Sequence, residues 1–272
     1  MGCAQWTHPA WPQPSRSKLQ SYATWVNAVE SNTTFYATPS ISTVRSWAAQ
    51  TPEDFRFVAK VPQLISHERR LTNADLELRH FLAVLEPLGP RLQAVWIQLP
   101  ASFAPTDLGT LAAFLHQVPR DRRYAVEVRH PDFFADPRAA LNLERVLARV
   151  DAEWIPFDTG TLFARRPTSF AERDARMKKP RVARRTRALT GHPVVRYIGR
   201  DSVAETVEGW AYLVDLVVEW LTEGRSPTIF LHTPDNAEAL NLARRFHAAV
   251  SAVLPGLEPL PEPVAVEPPT LF

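Results

Sequence analysis

Residues 124–134 read YAVEVRHPDFF, a short run whose two faces differ in character. Successive side chains of a β-strand point to opposite faces, so three apolar side chains share one face while Glu127 and Arg129 share the other. The apolar face is typical of a buried strand, and His130-Pro131 ends it directly after the charged pair. We therefore expect a buried strand that delivers a carboxylate and a guanidinium to one place near its C-terminal end.

Seven further apolar, β-branched runs recur along the chain, and helical patterns separate most of them. The eight predicted strands are Gly2–Trp6, Ala28–Thr33, Phe55–Val61, Ala94–Leu99, Tyr124–Arg129, Glu153–Asp158, Val194–Gly199 and Thr228–Thr233. The predicted helices include Ala74–Leu85, Leu108–Val118, Leu141–Val150, Glu205–Leu221 and Ala237–Val250. Such alternation indicates an α/β fold with a parallel sheet.

The number of strands favours closure into a single (β/α)8 TIM-like barrel, which typically needs ~250 residues. The chain has 272 residues, so such a barrel would fill positions 1–254. An open doubly wound sheet is the alternative. Because no G-x-G-x-x-G or P-loop motif follows a strand, the sequence argues against a dinucleotide-binding sheet and offers no nucleotide-cofactor motif.

Two segments depart from this alternation of strands and helices. The long connection between the sixth and seventh predicted strands carries ten Lys or Arg between positions 165 and 187, against Glu172 and Asp174. From position 255 to 272 the chain reads PGLEPLPEPVAVEPPTLF, with six prolines, which predicts an extended or flexible tail.

Composition excludes several classes of protein. The chain is 45% hydrophobic and 22% charged, as in ordinary globular proteins, and its net charge of +2 does not by itself indicate nucleic-acid binding. Cys3 is the single cysteine, so there is no internal disulfide and no cysteine-based metal cluster, which fits a cytoplasmic protein. We expect no membrane span and no signal peptide, since no apolar run approaches the ~20 residues that cross a bilayer.

Polar residues gather where the predicted strands end. In parallel barrels the active site forms at these C-terminal ends, so the pattern indicates a functional site there. The residues are Trp6, His8, Glu30, Asn32, Phe35, Tyr36, Lys60, His67, Gln98, Glu127, Arg129, His130, Asp158, Arg196, His232 and Asp235.

Among these residues we predict four catalytic groups: Glu30 and Glu127 as carboxylates for acid–base chemistry, His67 as a proton carrier, and Lys60 as an anion-binding group or base. A purely structural network of charges is the competing interpretation. The ligand-binding candidates are Trp6, Asn32, Tyr36, Gln98, Arg129, His130, Asp158, Arg196 and His232. We predict no metal site, because the histidines lack the spacing of known metal motifs.

The basic segment between positions 165 and 187 has two interpretations. It is either a solvated, mobile loop or a lid that contacts phosphate groups of a small ligand or of a nucleic acid. The candidates for such contacts are Arg165, Arg166, Lys178, Lys179, Arg181, Arg184 and Arg185.

Six stretches in fixed order resemble the YecE-like family, a TIM-barrel family of unknown function. They are VESNTTFYATPS, FRFVAKVPQLISHERRL, WIQLPASF, YAVEVRHPDFF, VVRYIG and HTPDN, and they fall within positions 2–250. The resemblance implies a barrel fold but no reaction. It places the family's characteristic polar residues on Glu30, Asn32, Tyr36, Lys60, His67, Glu127, Arg129, His130 and Arg196. The chain departs from the family at Gly2-Cys3-Ala4-Gln5-Trp6, where a Gly-Thr-Ser-Gly opening is usual, and at Ile198-Gly199, where His-Gly is frequent.

Three functions remain open at this stage. The first is an enzyme, such as a hydrolase or lyase, acting on a small anionic or phosphorylated ligand at the barrel mouth. The second is a protein that binds or processes nucleic acid through the basic segment. The third is a non-catalytic ligand sensor or scaffold that uses the proline-rich tail as a docking peptide.

Overall fold

The computed structural model describes residues 1–12 and 17–263. Its strands are β1 (Gly2–Cys3), β2 (Ala28–Ser31), β3 (Arg56–Lys60), β4 (Leu92–Gln98), β5 (Tyr124–Glu127), β6 (Glu153–Trp154), β7 (Phe157–Asp158), β8 (Val194–Ile198) and β9 (Thr228–His232). Its α-helices are α1 (Lys18–Tyr22), α2 (Thr33–Tyr36), α3 (Ile41–Ala49), α4 (Asp75–Leu85), α5 (Leu108–Gln117), α6 (Asp132–Ala135), α7 (Pro137–Ala148), α8 (Gly160–Ala164), α9 (Phe170–Lys178), α10 (Val203–Gly209), α11 (Ala211–Thr222) and α12 (Ala239–Val253). Short 3-10 turns at Glu86–Arg91 and Pro105–Asp107 and a π-helical turn at Leu64–Glu68 complete them.

All strand pairs are parallel, and the sheet curls into a half-barrel. The strand order is β6-β5-β4-β3-β2-β1-β9-β8-β7. The register at β1 depends on Gly2, where a Cβ atom would lie 2.1 Å from the carbonyl oxygen of Ala28. A side chain there would therefore push the two strands apart.

The sixth predicted strand is not one strand but two. Positions 153–158 form β6, which pairs with β5, and β7, which pairs with β8. Pro156 lies between them and has no N–H to donate to a ladder. The backbone hydrogen bonds change from one neighbouring strand to the other here. The N–H of Ile155 donates to the carbonyl of Val126 in β5, and the carbonyl of Pro156 accepts from the N–H of Arg196 in β8.

Alternation along the strands separates two layers of apolar side chains. On the concave face, a small cluster contains Ala28, Val58, Ala94, Trp96, Ala125, Ile155, Val194 and Phe230. The neighbouring positions point to the convex face and pack with the helices in the main core, as Val29, Val95 and Leu231 do. Two residues after Ala28 and Val58, the concave positions become Glu30 and Lys60. The concave side is therefore apolar at one end and charged at the other.

The basic connection lies between β7 and β8 and is partly helical, which corrects the expectation of a long loop. Ser169 caps α9 by accepting from the N–H of Glu172 at 3.0 Å. Glu172 in turn forms a buried ion pair with Arg200, whose Nη2 lies 2.8 Å from Oε2. This pair ties α9 to the segment that follows β8.

Two more segments differ from the simple sequence pattern. The predicted helix Glu205–Leu221 is divided at Trp210 into α10 and α11, and the Cα of Gly209 packs so closely that a Cβ would lie 2.1 Å from Oγ1 of Thr161. In the proline-rich tail, Leu260 is buried, and the carbonyl of Pro261 accepts from Arg244 at 2.6 Å. Residues 264–272 of that tail lie outside the described residues.

Within the described ranges, no helix combines the length and the apolar character that a membrane span requires.

Candidate functional site

Glu30 is the centre of a buried charge network at the C-terminal end of the sheet. Its side chain is fully buried, and Nζ of Lys60 lies 2.7 Å from its Oε1. Its other oxygen, Oε2, lies 3.2 Å from Nε of Arg196 and 3.0 Å from Nε2 of His232. Strand alternation explains this convergence, because all four residues occupy concave positions near the ends of β2, β3, β8 and β9.

The network keeps Glu30 ionised and His232 neutral. Burial alone would raise the pKa of Glu30, but Arg196, Lys60 and His232 outweigh it and hold that pKa well below its usual range. Burial and the nearby Arg196 lower the pKa of His232 to about 4. Its Nε2 lies 3.0 Å from both Oε2 of Glu30 and Nε of Arg196, so it donates to the carboxylate in one tautomer and accepts from the guanidinium in the other.

Glu127 is the second buried carboxylate and answers the question posed by the 124–134 stretch. Nε of Arg129 donates to its Oε1 at 2.6 Å, and Nη1 of Arg196 lies 3.9 Å from its Oε2. Burial acts to raise the pKa of Glu127, yet Arg129, Arg196 and Lys60 together lower it. The ring of Phe157 lies 5.3 Å from the Arg129 guanidinium and 5.5 Å from that of Arg196. The pair is thus part of the same network as Glu30.

Lys60 connects the network to the next strand. Its ammonium donates to Oε1 of Gln98 at 3.0 Å and lies 4.6 Å from the ring centroid of Trp96. Burial and the nearby Arg196 lower the pKa of Lys60 to about 8, against the opposing effect of Glu30 and Glu127. A side chain with this pKa exchanges its proton near neutral pH.

A pocket of about 620 Å³ opens above the network. Its lining combines cationic and aromatic side chains. The lining residues are Ala4, Gln5, Trp6, Thr7, Asn32, Thr33, Phe35, Tyr36, Lys60, Gln98, Arg129, Lys178, Lys179 and Arg196.

The end of α9 brings two lysines of the basic segment to this pocket. Lys178 is largely exposed and pairs with Asp174 at 2.8 Å. Lys179 is half-buried, and partial burial with the nearby Arg196 and Arg129 lowers its pKa to about 8. The basic segment therefore reaches the mouth of the site, but through Lys178 and Lys179 alone among the candidates named for it.

His67 lies beside the network on the π-helical turn after β3. Its Nδ1 is 2.9 Å from Oγ of Ser66, and its ring packs edge-on against Phe35 at 5.0 Å between centroids. Partial burial and the charge of Arg129 lower the pKa of His67. This shift favours the neutral form of His67.

Three predicted ligand-binding residues lie outside the pocket lining, and one of them, His232, belongs to the network around Glu30. Asp158 is buried but accepts hydrogen bonds from Tyr212 and from the N–H of Gly160, and it pairs with Arg184 at 3.4 Å. His130 is about a quarter exposed, and its Nδ1 lies 3.7 Å from Asp132. Asp158 and His130 serve contacts at the rim of the sheet.

The arginines of the basic segment also lie away from the pocket lining. Arg165 pairs with Glu205, Arg184 stacks on Tyr212, and Arg185 pairs with Glu144. Arg166 is exposed, and Arg181 lines a separate surface cleft beside α8. Most of the positive charge of this segment is therefore used in contacts with neighbouring elements.

Sequence reasoning missed three kinds of residue at the site. Trp96 and Phe157 lie against the cations, but an apolar residue on a strand gives no signal of that role. Gln5 lines the pocket from the loop after β1, and Thr33 lines it from the first residue of α2. Arg200 fixes α9 through Glu172, a contact between residues 28 positions apart that no local pattern indicates. No group of three or more potential metal ligands occurs in the described part of the chain.

Fold and site together define an α/β protein with a curled parallel sheet and a network of buried carboxylates and cations at its strand ends. The family described as "Protein of unknown function DUF72" matches residues 1–265. UPF0759 protein YecE of Escherichia coli is 37% identical over 261 residues, which cover 96% of each chain. UPF0759 protein YunF of Bacillus subtilis is 30% identical over 150 residues, about half of each chain. The chain belongs to this DUF72, YecE-like family.

Solved structures support the fold. A crystal structure of a DUF72 family protein from Enterococcus faecalis at 2.52 Å has a TM-score of 0.67, with 21% identity over 87% of this chain and 93% of that one. A second structure of the same protein at 3.10 Å also has a TM-score of 0.67, at 18% identity. At such identities the likeness concerns the backbone architecture.

Proposed function

We propose that the protein is an enzyme that binds a small anionic or phosphorylated ligand in the pocket above Glu30 and Glu127. The observation that carries this proposal is the balance of charge. Three cations, Lys60, Arg129 and Arg196, face two buried carboxylates, and α9 adds further positive charge at the rim. A ligand with negative charge would complete this balance.

Arg129 offers the most direct contact for such an anion. It bonds to Glu127 through Nε, and in the residues described its two terminal nitrogens form no other hydrogen bond or ion pair. The side chain is 16% exposed and lines the pocket, so these nitrogens are able to donate to phosphate or carboxylate oxygens. Lys179, which likewise has no hydrogen bond or ion pair in the described ranges, lines the same pocket.

In this proposal the carboxylates are electrostatic groups, and proton transfer falls to other residues. Glu30 and Glu127 are held ionised, so they orient Lys60 and the guanidinium groups rather than donate protons. Lys60 and Lys179, each with a pKa of about 8, are the groups that exchange a proton near neutral pH, and His67, whose lowered pKa favours its neutral form, is a further proton carrier in this proposal. A hydrolase or lyase reaction would use such groups.

We further infer that the sheet closes into a (β/α)8 barrel of the TIM type. Only Ile155 and Pro156 separate the edge strands β6 and β7, and each edge pairs with the neighbour that a closed ring requires. Contacts across the concave side, such as Glu30 with Arg196, favour the same arrangement. A ring would shield the site from water on its lower side.

Calorimetric titration with inorganic phosphate and with phosphorylated and carboxylated metabolites tests the binding proposal. We expect a saturable site in the wild-type protein and a loss of affinity of about ten-fold or more in Lys179→Gln, because a charge-assisted hydrogen bond contributes ~1.5–3 kcal/mol. Arg173→Gln is the matched control, since it removes one exposed positive charge from the same helix outside the pocket. Equal affinity in all three proteins would contradict the proposal.

The nucleic-acid alternative is less well supported, because Arg165, Arg184 and Arg185 already pair with carboxylates. If it were correct, oligonucleotide affinity would fall steeply with salt and would drop when Arg184 and Arg185 are both neutralised. A non-catalytic sensor would bind the same small ligands as the proposed enzyme but leave them unchanged. Chromatography of each bound compound after prolonged incubation distinguishes these two outcomes.

A further inference from the structure

The proposed anion site does not use three aromatic residues of the same pocket lining. Trp6 and Phe35 are half-buried, and Tyr36 is 73% exposed, yet all three line the same cavity as the cations. Tyr36 is among the most exposed large apolar side chains of the described chain. Apolar side chains grouped at the surface, rather than scattered singly, are one mark of a ligand-binding groove.

In the described part of the chain, the contacts of these rings with other aromatic side chains are edge to face rather than stacked. Trp6 meets Trp47 at a 69° interplanar angle, with centroids 5.4 Å apart. Tyr36 meets Phe35 at 82°, with centroids 5.5 Å apart. Phe35 and His67 also meet edge to face, at 82°. A planar ring placed against Tyr36 or Trp6 would therefore add the stacked contact that the protein itself does not supply.

Polar groups in the same lining suit a ligand that has hydrogen-bonding groups besides its anion. Asn32 uses its Nδ2 to donate to the carbonyl of Ala4 at 2.7 Å, which fixes the amide and directs Oδ1 as an acceptor. Thr33 and Thr7 contribute exposed hydroxyl groups to the lining. The lining thus supplies aromatic, polar and cationic groups to one cavity.

We propose that the ligand carries a planar heteroaromatic ring as well as its anionic group, so that the substrate class is a nucleoside monophosphate or a compound of the same build. The ring stacks on Tyr36 and Trp6, the polar middle meets Asn32, and the phosphate meets Arg129 and Lys179. The cavity of about 620 Å³ is within the range of small-ligand sites and accommodates a molecule of this size. This inference rests on the proposed anion site.

A comparison of three ligands tests the inference: inorganic phosphate, ribose 5-phosphate and the ribonucleoside 5′-monophosphates. We expect a monophosphate with a base to bind about 5- to 150-fold more tightly than ribose 5-phosphate, which corresponds to the ~1–3 kcal/mol of one stacked base. Tyr36→Leu, which keeps apolar area but removes the π face, is expected to abolish most of this preference and to leave phosphate affinity unchanged. Phe170→Ala is the matched control, because Phe170 is 75% exposed but lies outside the pocket lining.

The outcomes distinguish failure of the proposed stacking surface from failure of the proposed anion site. If ribose 5-phosphate binds as tightly as the nucleotides, or if Tyr36→Leu weakens both ligands equally, the stacking surface is overturned while the anion site stands. If none of the three ligands binds, or if Lys179→Gln leaves every affinity unchanged, the anion site fails and the nucleotide inference fails with it. A nucleotide preference that Tyr36→Leu removes and Phe170→Ala preserves supports both.

Discussion

The strand ends and the basic segment at positions 165–187 both concentrate charge, but they place it in different surroundings. At the strand ends, Glu30 and Glu127 are fully buried, and their cationic partners are nearly so. In the basic segment, Arg165 and Arg187 are each 68% exposed and pair with carboxylates of other elements. The comparison teaches that charge count alone does not identify a site. The same residue types form a buried network at the strand ends and exposed ion pairs in the basic segment.

The largest expected effect comes from breaking the buried network at Glu30. Glu30→Gln keeps the side chain's shape but removes the charge that balances Lys60 and Arg196, so it leaves buried cations without a counterion. We expect a loss of ~3–5 kcal/mol in the free energy of unfolding. Urea denaturation followed by circular dichroism measures it.

Asp174→Asn provides the matched control for that comparison. It removes a carboxylate from the exposed pair between Asp174 and Lys178, which are 34% and 70% exposed. Exposed pairs of this spacing contribute ~0.3–0.5 kcal/mol. If both variants lose the same stability, burial does not distinguish the two regions.

A pH effect follows from His232. Because its folded-state pKa is lowered to about 4, the unfolded state binds more protons between that pH and ~6.5. The stability that neutral His232 provides is therefore complete above pH ~6.5 and is lost as the pH falls towards 4, by up to about 3 kcal/mol. Glu30 and Glu127 add a further loss at lower pH, since their pKa values are lowered and their charge must be given up.

Urea titrations of the wild type and His232→Gln at several pH values isolate the histidine. Glutamine keeps a donor for Glu30 but does not titrate. We expect the variant's unfolding free energy to fall less steeply than that of the wild type as the pH drops from 6.5 to 4. Parallel curves in that window would show that folding does not lower the pKa of His232.

Strand alternation explains why so much of the network was predictable from sequence. Glu30, Lys60, Glu127 and Arg196 each follow an apolar concave residue by two positions, so the period of the strand alone directs them to one side. The same rule, applied through Ile155 and Phe157 on the concave face, sends Asp158 to the convex side, where it meets Tyr212. The strand-end list included Asp158 because it used position along the strand without the side-chain direction.

The placement of Lys179 depends on contacts that no local pattern carries. The end of α9 reaches the mouth because Glu172 is anchored by Arg200 and by the N–H groups of Thr168 and Asp201. These bonds join the basic segment to the loop after β8, and a single sequence offers no sign of them. Local periodicity was enough to predict the strands of the curled sheet. It carries no information about a contact between residues that are far apart in the sequence, so the contact of Glu172 with Arg200 was not predictable.

Arg200→Gln tests the contact that joins α9 of the basic segment to the loop after β8. It removes a guanidinium that donates to both oxygens of Glu172 at 3.0 and 2.8 Å. Loss of charge-assisted bonds worth ~1.5–3 kcal/mol is expected to speed amide exchange in α9 roughly ten- to hundred-fold. Amides of β3 and β4 should exchange at the wild-type rate, and Arg173→Gln should change neither. Uniformly faster exchange across the sheet would mean that α9 and the strands unfold together.

The smallest effect is expected within the basic segment itself. Arg165 pairs with Glu205 at 3.3 Å, but the arginine is 68% exposed and Glu205 also contacts Arg200 at 3.0 Å. Arg165→Gln should therefore lower the unfolding free energy by less than ~1 kcal/mol, with little dependence on salt. Thermal and urea denaturation at low and high ionic strength provide the measurement. A loss above ~2 kcal/mol that vanishes at high salt would show that the segment is held by its summed surface pairs rather than by the buried pair of Arg200 and Glu172.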